Sequence, residues 1–235
     1  MIIFAHRGAS GYVPENTLAA MKKAIELGAR AIELDIHNVE GELYVYHDRR
    51  LDHKSSGKGL IDQVSRKYLD TISVEQEPIP TLWEVMSYLS QYDCIVNIEL
   101  KGMTCLSPFI TLYPRLLEKL NFSIEQLLIS SFHHGFLQLF RQSFPQAYIA
   151  PLIEGVQLNN TYTALCLNAY SIHLSISFIN QELVDEVHAE GFKVFVYTVD
   201  HIDDIKMLSN MGVDGIFTNY PDRASKFLEE RYILT

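Results

Sequence analysis

Residues 193–217, KVFVYTVDHIDDIKMLSNMGVDGIF, contain one complete unit of the fold. Residues 193–197 are a short run rich in β-branched and aromatic side chains, which favours a buried strand. Asp200 can cap a helix start, and Ile202, Ile205, Leu208 and Met211 then recur at threes, drawing one apolar stripe along a helix near 202–210. Gly212 follows the stripe, where a left-handed helix end costs glycine least, and 214–217 is a second short apolar run. Two strands joined by a helix that packs back on them run parallel.

Outward from this unit the same rhythm covers the chain. Strands are expected at 2–5, 31–36, 94–100, 127–131, 147–151, 170–174, 193–197 and 214–217, and helices near 17–27, 82–91, 108–120, 135–143, 161–167, 181–189, 202–210 and 223–230. Thr81 with Glu84 matches a capping box, and Ser107–Pro108 places a cap before proline at a first helical position. Gly28 and Gly191 mark helix ends as Gly212 does. Eight strand–helix units in 235 residues predict an α/β protein of the (β/α)8 TIM-barrel class. An open doubly wound sheet is the alternative, but the first strand is not followed by the glycine-rich turn of nucleotide-binding versions.

The rhythm breaks once. Residues 43–47 read as an extra strand turned back at Glu40–Gly41, and 48–80 is polar, with Gly57, Gly59, Pro78 and Pro80 and one short helix near 64–69. This is a small insertion after the second strand of a single domain spanning 1–235.

The composition is that of a soluble globular chain, 48% hydrophobic and 20% charged, and 19 Lys+Arg against 29 Asp+Glu give a net charge of −10. Scattered cations on an acidic chain exclude nucleic-acid binding as the main role. Cys94, Cys105 and Cys166 are too few and too widely spaced for a zinc site or a disulfide scaffold. The opening MIIFAHRG lacks the basic and apolar regions of a signal peptide, and no run approaches the roughly 20 apolar residues of a membrane span. The expected compartment is the cytoplasm, without stable membrane association; homo-oligomer formation is left open.

Functional side chains of such barrels collect at the carboxyl ends of the strands. His6 and Arg7 close the first strand. In Ala31–Ile36 the period of two puts Glu33 and Asp35 on one face and aliphatics on the other, and the same rule aligns Glu99 with Lys101. His47 ends the returning strand. Three carboxylates converging in a mouth repel one another unless a hard cation lies between them, so Glu33, Asp35 and Glu99 suit one divalent cation, Mg²⁺ or Ca²⁺. With Arg7 and Lys101 beside it, that site would hold a phosphate-bearing anion, and His6 with His47 would supply general acid–base hydrolysis of a phosphodiester. The remaining histidines, His173 among them, read as surface or satisfied core residues.

The ordered set of motifs resembles the glycerophosphodiester phosphodiesterases. It runs from Ala5-His6-Arg7-Gly8 and Pro14-Glu15-Asn16-Thr17 through Glu33-Leu34-Asp35, His47-Asp48, Pro80-Thr81-Leu82 and Ile98-Glu99-Leu100-Lys101. It continues with Ser130-Ser131-Phe132 and Val196-Tyr197-Thr198-Val199-Asp200, and ends with Gly212-Val213-Asp214-Gly215-Ile216-Phe217-Thr218-Asn219-Tyr220-Pro221. The resemblance implies a (β/α)8 barrel with an insertion after the second strand. It implies metal-dependent hydrolysis of small-molecule glycerophosphodiesters, such as glycerophosphocholine or glycerophosphoethanolamine, to glycerol 3-phosphate and an alcohol. It makes His6 and His47 the acid–base pair, Glu33, Asp35 and Glu99 the metal ligands, and Arg7 and Lys101 the phosphate contacts, with Glu15 and Asn16 organising the first loop. Tyr197 stands where the family usually has tryptophan, and would offer a smaller aromatic wall to the substrate. A lysophospholipase D-like activity on longer-chain substrates is the alternative enzyme reading. A non-catalytic phosphodiester binder would not need the histidine pair.

Overall fold

The computed structural model describes residues 1–233. In chain order the elements are β1 (Ile2–Ala5), α1 (Leu18–Glu26), β2 (Ala31–Val39), β3 (Glu42–Val45), α2 (Arg66–Leu69), β4 (Ser73–Val74) and β5 (Glu77–Pro78). They continue with α3 (Leu82–Leu89), β6 (Ile95–Leu100), α4 (Leu106–Leu120), β7 (Leu127–Ser131), α5 (His134–Ser143), β8 (Tyr148–Ile153) and α6 (Tyr162–Leu167). The last are β9 (Ser171–Ser175), α7 (Gln181–Ala189), β10 (Lys193–Tyr197), α8 (Ile202–Met211), β11 (Gly215–Thr218) and α9 (Pro221–Ile233). All eight expected strands are present. They pair in parallel in the order β1-β2-β6-β7-β8-β9-β10-β11, and β11 pairs back onto β1, with Ile2 beside Gly215 and Ala5 beside Thr218, so the barrel closes.

The period of two sorts the strand residues into two cores. Aliphatics such as Ile32, Leu34, Ile98, Ile129, Val194 and Ile216 point outward against buried helix residues such as Met21, Val85, Phe109, Leu137, Val184 and Leu208. Phe4, Ala31, Leu128, Ala150, Phe195 and Phe217 point inward and plug the barrel floor. Gly215 makes room for that plug, because a Cβ there would lie 2.9 Å from a ring carbon of Phe195. Above this apolar floor the inward positions are polar, and they form the mouth.

Local chemistry explains most element ends. The expected capping box is made: Glu84 Oε2 accepts from the Thr81 N–H at 2.8 Å, and Thr81 Oγ1 accepts from the Glu84 N–H at 3.2 Å. Two expected caps are not. α4 begins at Leu106, two residues before Pro108, so Ser107 lies inside the first turn and Cys105 stands at the cap without a side-chain bond. α8 is preceded by His201, again without one, because Asp200 is engaged elsewhere. Of the stripe on α8, Ile205 and Leu208 are buried while Ile202 is exposed, since a spacing of three drifts around a helix of 3.6 residues per turn.

The insertion leaves the barrel as a hairpin. β2 runs on to Val39, Glu40 and Gly41 turn with φ of +49° and +87°, and β3 returns antiparallel. Residues 46–81 then form α2, capped by Ser65, and the β4–β5 ribbon around a small core of Tyr44, Tyr46, Leu51, Ile61, Leu69, Ile72 and Val74. This places His47 over the mouth.

Candidate active site

Seven of the eight residues singled out from the sequence line one cavity of about 230 Å³ at the carboxyl ends of the strands: His6, Arg7, Glu33, His47, Glu99, Lys101 and Tyr197. The eighth, Asp35, joins Glu33 and Glu99, and one ligand atom from each lies within 4.8 Å of the others. Strand register explains the meeting, because Asp35 on β2 sits beside Glu99 on β6. The three are 3%, 1% and 8% exposed, respectively for Glu33, Asp35 and Glu99.

The cations around the triad are held by it. Arg7, in the left-handed region at φ +56°, donates its backbone N–H to Glu33 Oε2 at 2.8 Å. Its Nη1 meets Glu15 at 2.9 Å, and its Nε lies 3.3 Å from Asp35 Oδ2, an ion-pair distance without hydrogen-bond alignment. Lys101 Nζ lies 3.0 Å from Glu99 Oε1 and 3.0 Å from His47 Nε2. Asn16 does more than shape the first loop: its Nδ2 donates to Asp35 Oδ2 at 2.8 Å. Glu15 also takes Lys54 at 2.7 Å, tying the insertion to the first loop.

Two influences compete on the carboxyls. Burial, then the charges of Asp35 and Glu99, raise Glu33 well above the ordinary range, and burial and Asp35 push Glu99 up to about 7. At Asp35 burial is again the largest influence and pushes up, but Arg7, Lys101, His47 and the Asn16 bond together outweigh it and hold the group at about 2. The donor set is all oxygen, deeply buried and in mutual reach, and Glu99 Oε1 meets the Lys101 ammonium at 3.0 Å. These residues fit a hard divalent cation.

The two imidazoles have different partners. His6 Nδ1 lies 2.8 Å from Asn219 Oδ1, and burial, with Arg7 adding, lowers its pKa to about 4. His47 Nδ1 lies 2.6 Å from the Asp48 carboxylate, and its backbone carbonyl accepts from His37 at 3.1 Å. Its pKa is also lowered, by burial first and then by Arg7 and Lys101, against Asp35 and Asp48.

Across the cavity stand Phe132, Leu152, His173, Tyr197 and Phe217. Tyr197 donates its hydroxyl to the Ile153 carbonyl at 3.1 Å, so it turns ring rather than polar tip toward the mouth. His173 is not a satisfied core residue: it is fully buried, lies against Phe195 and Phe217, and its Nδ1 has no partner among the described residues. Asn97 is a second such residue, its Nδ2 bonded to Ser130 and its Oδ1 free among the described residues. The rule that aligned Glu99 with Lys101 places Asn97 on that face too.

The family model described as glycerophosphoryl diester phosphodiesterase matches residues 6–223. A glycerophosphodiester phosphodiesterase of Caldanaerobacter subterraneus is 36% identical, covering 94% of this chain and 95% of its own. One of Bacillus altitudinis is 35% identical over 97% and 98%. The structure of an Oleispira antarctica phosphodiesterase in complex with the product sn-glycerol-3-phosphate superposes with a TM-score of 0.91 at 27% identity, covering 97% of each chain.

Proposed function

The chain belongs to the glycerophosphoryl diester phosphodiesterase family, and from that premise we propose that it hydrolyses small glycerophosphodiesters, such as glycerophosphocholine and glycerophosphoethanolamine, to glycerol 3-phosphate and an alcohol. One observation carries this reading: two imidazoles, two cations and three carboxylates from separate strands and loops converge on a single cavity of small-molecule size. Arg7 and Lys101 bring fixed positive charge for the phosphate oxygens. His6 and His47 exchange protons with the attacking and departing oxygens. Tyr197 and Phe132, packed edge-to-face at 6.2 Å, wall the opposite side. Glu33, Asp35 and Glu99 would hold one divalent cation, Mg²⁺ or Ca²⁺, which when bound supplies charge stabilisation for the phosphoryl oxygens.

We place this activity in one barrel domain with its insertion, working in the cytoplasm on a diffusible substrate without nucleic acid or stable membrane association. The net charge of −10 and three free cysteines accord with that setting, and among the described residues no helix is long and apolar enough to cross a membrane. A second reading, hydrolysis of longer-chain lysophospholipids, is favoured by the loops after β6 to β9, which expose Met103, Phe132, Val156, Leu158 and Phe178 around the mouth.

The test is release of glycerol 3-phosphate from both small substrates, with and without chelator, beside His6→Ala. Chelator-sensitive release that the variant lacks is the expected result. Release from lysophosphatidylcholine alone would move the chain to the second reading, and no release from any of the three would overturn both.

A further inference from the structure

We propose that Asp200 and Asn219 are positioning residues that fix the tautomer of His6, keeping its proton on Nδ1 and its lone pair on Nε2. The inference rests on the acid–base role proposed for His6. Neither residue lines the cavity, and the contact that leads from them to a proposed reacting group is the one from Asn219 to the imidazole.

Donors and acceptors run in an unbroken order from Asp200 inward to His6. Asp200 follows β10 and Asn219 follows β11, on neighbouring strands. Asp200 Oδ1 accepts from the Asn219 backbone N–H at 2.8 Å and from Thr218 Oγ1 at 3.1 Å, and Oδ2 accepts from Asn219 Nδ2 at 2.6 Å. A carboxylate only accepts, so it decides which way the Asn219 amide faces; flipped, the amide would press its oxygen against Oδ2. The amide oxygen is thereby turned to His6 Nδ1, 2.8 Å away. That oxygen also only accepts, so Nδ1 must carry hydrogen. Ser10 Oγ lies 2.7 Å from both the His6 carbonyl and Asn219 Oδ1, and its single proton serves one or the other without making Oδ1 a donor. An uncharged imidazole with hydrogen on Nδ1 offers Nε2 as an acceptor, and burial keeps this one uncharged.

His47 is held differently, directly against the Asp48 carboxylate at 2.6 Å. Placing an amide between Asp200 and His6 transmits orientation without setting a negative charge beside the ring. It also accounts for Asp200 leaving the α8 cap unmade.

Asp200→Asn keeps the shape and removes the decision. The new amide can turn its NH₂ toward Asn219, which then flips and offers its own NH₂ to His6 Nδ1. The expected result is hydrogen on Nε2, read from long-range ¹H–¹⁵N correlations of His6, with kcat lowered at least about 10²-fold and KM little changed. Exchanging the pair, Asp200→Asn with Asn219→Asp, restores an acceptor opposite Nδ1 and should return the Nδ1–H signal and most of kcat. A purely structural role would not be rescued in this way. Should Asp200→Asn not fold, Asn219→Ala takes its place, with mixed tautomers and lowered kcat expected. A folded Asp200→Asn protein whose His6 stays Nδ1–H, or whose kcat is unchanged, overturns the proposal. If the wild type releases no glycerol 3-phosphate, the hydrolase reading fails, while the resonance experiment still tests the tautomer.

Discussion

One side of the barrel mouth, from β1, β2, β6 and the loop after β3, carries His6, Arg7, Glu33, Asp35, His47, Glu99 and Lys101, each in hydrogen-bond or ion-pair contact. The other side, from β7 to β11, carries mainly Phe132, Leu152, His173, Tyr197 and Phe217, with Glu154 as its one carboxylate; ring packing, the Tyr197 bond to the Ile153 carbonyl and a 3.2 Å contact of His173 Nε2 with Ser171 Oγ hold it. Both face the same cavity. Charges that must respond to a changing phosphate work best beside a surface that keeps water out, because their interactions strengthen as the surroundings become less polar. The first side therefore tolerates little change of residue type, and the second tolerates change of shape.

The sharpest way to break this contrast is to remove an imidazole proposed to carry a proton. His6→Ala and His47→Ala should each lower kcat by roughly 10²-fold or more with folding intact, measured as glycerol 3-phosphate release beside circular dichroism; near-normal turnover in either would take that imidazole out of the reaction. Next in size is Glu33→Gln. If Glu33 is the direct ligand proposed, its loss should cost at least the roughly tenfold typical of supporting residues, in titration calorimetry with Ca²⁺ or Mg²⁺ alone. Unchanged affinity would move Glu33 out of the cation site.

The buried histidines sharpen the comparison through pH. His6 is held at about 4 and His173 at about 3, both below the 6.5 of an exposed imidazole. The unfolded chain thus binds more protons than the folded one between those limits. The contribution of these two groups to stability is full above about pH 6.5 and falls as pH drops toward 4 and 3, by up to about 1.4 kcal/mol per pH unit for each, while the raised Glu33 and Glu99 carboxyls slope the other way. His173→Asn should flatten the slope seen in urea melts; an unchanged slope would mean His173 finds a partner that stabilises its charge. The smallest expected effect is on the apolar wall. Tyr197→Phe loses one hydrogen bond, about 1 kcal/mol of stability, and should leave kcat within a few-fold. A loss as large as that of His6→Ala would show that the two sides do not divide the work.

Most of the charged side was legible because it follows one rule. The period of two along 31–36 and 95–101 puts Glu33, Asp35, Glu99 and Lys101 inward, and strand ends supply His6 and Arg7. Asn97 obeys the same rule but has no charge to draw notice. Asp200 reads as a helix cap in the sequence because cap chemistry is local, whereas its partners Thr218 and Asn219 arrive from the next strand. His173 looked like a core residue because nothing in its neighbours signals an unpaired Nδ1. In the insertion, Leu51, Ile61, Leu69, Ile72 and Val74 show no period, so their joint core exists only once the hairpin has turned.

The closure of β11 onto β1 has a consequence for biosynthesis. His6 and Asn219 are separated by 213 positions, so a chain growing from its N-terminus carries its histidine without that partner until β11 has been made. β1 likewise waits for β11 along one edge, a pairing of high sequence separation that forms late. A chain cut before β11 therefore lacks both the strand that closes the barrel onto β1 and the Asn219 contact to His6.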